Sequence, residues 1–130
     1  MFKNLKVLEL SSVLAGPAVG MFFSELGAQV VKVENKTTNG DVTRKWKLPN
    51  EKKSDLSAYF CSVNYNKNYI FLDFNNQKDR TELEILIKNC DIIITNFKGE
   101  DAAKFGLGFE DCKKINSNII YAHIGGFKTN

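Results

Sequence analysis

Chemistry needs imidazoles, thiols, carboxylates or hydroxyls held at useful spacings, and this chain offers few of them in a familiar pattern. Its single histidine, His123, closes an apolar run. No second imidazole, spaced acid or thiol accompanies it, so it does not read as a metal site, and a structural role is preferred. The three cysteines, Cys61, Cys90 and Cys112, are odd in number, far apart and without a C-x-x-C pair. That argues against a disulfide framework or a zinc site and for reduced, mostly buried thiols in a cytoplasmic protein. Asp41, Asp73 and Asp91 are the carboxylates nearest predicted strand ends. Asp91 reads as a cap or a solvent-facing group. Asp73 reads either as an acceptor for a ligand hydroxyl or as a strand-end hydrogen-bonding group. Of 18 basic residues only Arg44 and Arg80 are arginine. Two-pronged grips on phosphate or carboxylate are the speciality of arginine, which singles out Arg44.

The signatures that would name a chemistry are missing. There is no G-x-x-x-x-G-K-[ST] phosphate loop and no G-x-S-x-G elbow. Gly16 and Gly20 are misspaced for the dinucleotide fingerprint, and Gly106-Leu107-Gly108 does not follow a strand. Mild basicity, formally +3 with pairs only at Lys52-Lys53 and Lys113-Lys114, reads as solvated lysines rather than a nucleic-acid patch. The N-terminal apolar stretch is too short for a signal peptide. No run of about 18 apolar residues suggests a membrane span.

The elements that must position any site follow from hydrophobic spacing. Lys6–Leu10 reads as a strand. Gly16, able to take an unusual backbone angle, and Pro17, suited to a first helical turn, open a helix to about Leu26. Gly27 ends it, and Gln29–Val33 forms a second strand, completing a βαβ unit with parallel strands. Glu34–Tyr59 is polar, with a turn at Asn39-Gly40-Asp41, and reads as a long, mainly irregular excursion of the kind that carries function. Tyr69–Phe74 is a third strand. A helix capped by Asn75 or Asn76 runs to about Asn89. Asp91–Thr95 is a strand buried on both faces. Short helices near Asp101–Phe105 and Phe109–Ile115 precede a last strand at Asn118–His123. The 130 residues, 43% of them hydrophobic, suit one domain. The order predicts an open, mainly parallel α/β sheet flanked by helices, with ligands at the strands' carboxyl ends. The residues alone imply an α/β domain for a nucleotide-like ligand.

The ordered series of short motifs is more specific than any one of them. Ala15-Gly16-Pro17, Leu26-Gly27-Ala28, Val31-Lys32-Val33-Glu34, Gly40-Asp41 with Arg44, Asn66-Lys67, Leu72-Asp73, Asn96-Phe97, Phe105-Gly106-Leu107, Ile120-Tyr121-Ala122 and Gly125-Gly126-Phe127 stand in this order. The series resembles the N-terminal portion of the family III CoA-transferases, over residues 5 to 127. The resemblance implies a Rossmann-like sheet and a CoA or acyl-CoA substrate with no metal. It implies CoA contacts at Leu14, Ala15, Asn35, Arg44, Leu72, Asp73, Phe74, Asn75, Asn96, Phe97, Lys98 and Lys104. Leu72 and Phe97 are read either as an apolar wall for the ligand or as core. Departures from the family pattern are Asn35, Asn68, Lys98 and Lys104, where arginine is common, or proline or a small residue at some of them. Each replaces a planar grip by at best a point charge.

Transferases of this family use an aspartate nucleophile, through an acyl-enzyme anhydride and a thioester on that aspartate. It is expected beyond the segment matched by Gly125-Gly126-Phe127, as are the histidine and aspartate of the racemases in the group. The chain is therefore expected to hold no catalytic residue, and to work as part of a homodimer or with a partner chain that supplies the rest. The substrates implied are a CoA thioester and a carboxylic acid, with no nucleic acid and no membrane. An α-methylacyl-CoA racemase-type member, a non-catalytic CoA-binding module or split-enzyme subunit, and a functionless remnant are the alternatives.

Overall fold

The computed structural model describes residues 1–126; Phe127, the last residue of the motif series, lies outside them. Five strands make one parallel sheet: β1 Lys6–Leu10, β2 Gln29–Asn35, β3 Asn68–Leu72, β4 Ile92–Thr95 and β5 Ile120–His123. Their order is β3-β2-β1-β4-β5. The chain thus moves outward from β1 to β3, then returns to the far side of β1 to lay down β4. The crevice between β1 and β4 is the switch point at which open sheets of this kind hold ligands.

Helix α1, Ala15–Glu25, packs on one face through Phe23. Helices α3, Gln77–Asn89, and α5, Phe109–Ile115, cover the other. Strand alternation divides the core accordingly. Leu8 and Leu10 meet Leu83, Ile87, Ile93 and Leu107 on the α3 and α5 side. On the α1 side, Val7, Ala28, Val30 and Ile94 form a much smaller apolar cluster. At the carboxyl ends of β1 and β2 the positions of the same parity are Glu9, Lys32 and Glu34, all buried.

Several boundaries depart from the sequence reading for identifiable reasons. α1 begins two residues before Pro17. β2 runs on to Asn35 because β3 pairs with it up to Asn35↔Leu72. β3 stops at Leu72 because the Asp73 amide donates to Asp79 Oδ2 instead of a ladder. β5 starts late because Asn118 N donates to Asn116 Oδ1. The excursion after β2 is less irregular than expected. Asn35 and Asp41 cap 3-10 turns at Lys36–Thr38 and Val42–Lys45, and Ser57 caps α2, Ala58–Ser62. Gly16 sits inside α1 without a positive φ, so its use is space and not angle: a Cβ there would come within 2.3 Å of Ser11 Cβ and Oγ. The unusual angle falls on Val13, at φ 69°.

Cys90 and Cys112 are buried and Cys61 is exposed. Burial pushes the Cys90 thiol up to about 12 and the Cys112 thiol up to about 11. Only the thiolate reacts, so a disulfide reagent at pH 8 should titrate one thiol in the native protein and three in guanidinium. Rapid reaction of a second native thiol would contradict this packing.

Candidate functional site

Beneath the carboxyl ends of β1 and β2 lie two carboxylates and two ammonium groups, with side chains at most 1% exposed. Lys32 Nζ, from β2, sits 3.0 Å from Glu9 Oε1, 3.1 Å from Asp41 Oδ2 and 2.6 Å from the Ser11 carbonyl. Lys67 Nζ, just before β3, donates to the Pro17 carbonyl at 2.7 Å and to Asn64 Oδ1 at 2.9 Å. It also lies 2.7 Å from Glu9 Oε2, an attraction of charges without hydrogen-bond geometry. Each ammonium thus makes two hydrogen bonds and one further ion-pair contact, and the four formal charges cancel.

Burial disfavours a charged Lys67 most, and although Glu9 opposes it, the ammonium is drawn down to about 8. Burial likewise pushes the Asp41 carboxyl up, but Lys32 and the Thr43 amide and hydroxyl outweigh it and hold the group below its ordinary value.

A second ion pair extends the network outward. Arg44 donates from Nε to Glu34 Oε2 at 2.7 Å and from Nη2 to Glu34 Oε1 at 2.6 Å. Glu34 Oε2 also accepts the Asp41 amide at 2.7 Å. The guanidinium lies over the Phe60 ring, 4.0 Å from its centroid, with Tyr69 and Phe71 at 4.7 and 5.2 Å. Its hydrogen bonds to Glu34 raise its affinity for the proton. Arg44 therefore faces inward and does not line a cleft.

Above this floor opens a cleft of about 710 Å³ at the β1/β4 switch point. Its walls are the turn Ser11–Ala15, the end of β2 from Val33 to Asn35, Phe74, the segment Asn96–Lys98, and Asp101 with Phe105 from around the short helix α4, Asp101–Lys104. Phe105 packs on Phe74 and Phe97, with ring centroids 5.2 and 6.0 Å away, making one side aromatic. The opposite side holds the start of α1, which no side chain caps and whose first turn carries no acid. Such a terminus favours an anion. Asn96 clamps the turn: its Oδ1 accepts the Ser12 amide at 3.0 Å and its Nδ2 donates to the Ser12 carbonyl at 2.8 Å. Ser11 Oγ, buried at the floor, has no partner among the described residues.

Of the residues singled out from the sequence, Leu14, Ala15, Asn35, Phe74, Asn96, Phe97 and Lys98 come together in this cleft. The other five lie off its wall. Arg44 is committed to Glu34. Leu72 is buried in the core. Asp73 Oδ1 accepts the Asn75 amide, which ties both residues into the turn after β3. Lys104 is exposed beside Asp101 at 3.5 Å. Sequence reasoning assigned no role to Glu9, and it met Lys32 and Lys67 only as members of the motif series, not as buried charges. For Glu9 and Lys32 the local signal was a charge at the strand parity of a buried valine, in Val7-x-Glu9 and Val30-x-Lys32, while Lys67, before β3, carried no such pattern.

This architecture is that of an α/β domain with a cleft at its switch point. The profile of CoA-transferase family III matches residues 2–130. Succinate–glutarate CoA-transferase of Agrobacterium fabrum is 36% identical over 95% of this chain and 32% of its own length. Formyl-CoA:oxalate CoA-transferase of Afipia carboxidovorans is 37% identical over 95% of this chain and 28% of its own. A CAIB/BAIF family protein from Brucella suis superposes with a TM-score of 0.87 at 40% identity, over 96% of this chain and 33% of that one. The chain belongs to CoA-transferase family III and spans about a third of the length of these relatives.

Gly20 tests the network directly, since a Cβ there would fall 1.8 Å from Glu9 Oε2 and 3.1 Å from Lys67 Nζ. With Glu9 fixed between two lysines, Gly20→Ala should destabilise by about 1–3 kcal/mol in urea unfolding. Arg44→Lys keeps the charge but loses the fork and the stacking. It should cost about 1–2 kcal/mol of stability while leaving the cleft's walls in place, and a neutral Arg44→Lys would contradict the geometry.

Proposed function

We propose that residues 1–130 form the CoA-binding domain of a CoA-transferase, one that moves CoA between carboxylic acids, and that the reacting carboxylate lies outside this chain. The observation that carries the reading is the composition of the cleft. Leu10, Val33, Phe74, Phe97 and Phe105 offer an apolar wall suited to an adenine or a pantetheine arm. The uncapped α1 start and Lys98 offer positive potential suited to phosphates. No metal is needed for such contacts. The partner implied is a second copy or a further segment that closes the open side over the acyl group.

The cleft's own carboxylates suit support better than catalysis. A nucleophilic carboxylate must present a free oxygen to the thioester carbonyl. Glu34 is tied to Arg44 and Asp41 to Lys32, while Asp101 sits beside Lys104. In this reading the chain binds and orients CoA and leaves the acyl transfer to residues elsewhere, and alone it is inactive.

Calorimetric titration of the purified chain with CoA is the test. Binding with Kd of about 1–100 μM is expected. Lys98→Ala should weaken it about fivefold to tenfold, and Lys104→Ala, off the wall, by less. A folded chain that takes up no CoA at millimolar concentration would sink the reading. CoA transfer from an acyl-CoA to a free carboxylic acid by the chain alone would sink the claim that it is inactive.

A further inference from the structure

Val13 is a β-branched residue at φ 69°, a region such side chains avoid for steric reasons. Something must hold it there, and an observed strain of this kind points towards function. Two groups hold this turn. Asn96 brackets the Ser12 peptide, as described. The Val13 amide donates to the Asp41 carboxylate, at 3.1 Å to Oδ2 and 3.3 Å to Oδ1. Ser12, Val13 and Leu14 are consecutive wall residues of the cleft, and α1 starts at Ala15. The sign of φ at Val13 therefore sets where the next peptide and the open end of α1 point.

Every other group that touches Asp41's side chain is also a donor. Thr43 N and Oγ1 reach Oδ1 at 3.0 and 2.8 Å, and Lys32 Nζ lies 3.1 Å from Oδ2. An acceptor-only group is required on both oxygens. An amide would set its NH₂ against donors in either orientation.

We infer that Asp41 is a positioning residue for the cleft: from beneath, its carboxylate holds the strained Val13 turn in the left-handed conformation that aims the start of α1 at the ligand. Lys32, shared with Glu9, is its counter-ion and fixes it between the ends of β1 and β2. Asp41 touches no ligand in this scheme and acts through the turn. The inference rests on the proposed CoA site for its affinity arm only.

The experiment pairs amide hydrogen exchange at residue 13 with CoA titration, using the 130-residue chain. In the wild type the Val13 amide is expected to be protected. In Asp41→Asn its protection should fall by about tenfold or more, and CoA affinity should fall by about tenfold, the scale set by the left-handed penalty. Glycine takes this conformation freely. Adding Val13→Gly to Asp41→Asn should therefore restore affinity to within about threefold of Val13→Gly alone. Asn76→Ala removes the cap of α3, away from the turn; it should lower stability by about 1 kcal/mol and leave Val13 protection unchanged, separating the turn from global destabilisation.

The inference is overturned if the wild-type Val13 amide is unprotected, if Asp41→Asn leaves its protection intact, or if the glycine brings no recovery. Should Asp41→Asn not fold, Val13→Pro removes both the N–H and the positive φ while leaving the buried charges. A folded Val13→Pro that binds CoA as the wild type does would equally overturn it. If the wild type takes up no CoA, the proposed function falls, and exchange at Val13 alone decides whether Asp41 holds the turn.

Discussion

Four buried charges, Glu9, Lys32, Asp41 and Lys67, are the constraint on which this structure turns. Isolated, any one would be costly to bury. Together they are neutral, and each ammonium makes two hydrogen bonds and one further ion-pair contact. Such a network adds little net stability over an apolar core of equal volume, but removing one member strands the others at about 3–5 kcal/mol. Its consequence is therefore geometric. It joins β1, β2, the entry to β3, the first turns of α1 and the excursion after β2, and it accepts only one mutual arrangement of them.

That arrangement explains why the α1 side of the sheet has so small an apolar cluster. Near the amino ends of the strands, Val7 and Val30 pack in the ordinary way. Near the carboxyl ends, the same face carries Glu9 and Lys32, and α1 must lie close over them. Gly16 and Gly20, one helical turn apart, permit the approach, the first over Ser11 and the second over Glu9. A polar floor at the switch point follows, where backbone amides and carbonyls of the Ser11–Ala15 turn are fixed from below rather than by one another. The Arg44–Glu34 pair, seated on three aromatic rings, braces the far side by accepting the Asp41 amide on Glu34. Cleft wall and structural support are thus separate layers. The upper layer is the start of α1, the aromatic wall and Lys98. The lower layer is the ion-pair network, whose carboxylates are spent on internal donors.

The element sequence was legible from local patterning, because β1 and α5 depend on apolar spacing and α3 on its Asn76 cap, all contiguous in the chain. Boundaries set by non-local partners were not. The end of β2 needed β3 beside it, and the end of β3 was decided by Asp79, six residues on. The candidate site was half legible. Residues on the strand-end loops gathered as the topology requires, whereas Arg44, Leu72, Asp73, Asn75 and Lys104 stand off the wall. A guanidinium close behind a strand end looks the same in sequence whether it faces a phosphate or the carboxylate of Glu34.

The sequence by itself determined the fold class, the parallel sheet and the family, since these rest on hydrophobic period, turn residues and an ordered motif series. Only the tertiary structure decided which charges are buried and which are free. It took the strained angle away from Gly16 and put it on Val13, and it turned Asp41 and Arg44 inward. The physical reason is that a charge inside a strand has no fixed cost until its counter-charges arrive, and here Glu9, Lys32, Asp41 and Lys67 come from four separate segments that meet only in the folded chain.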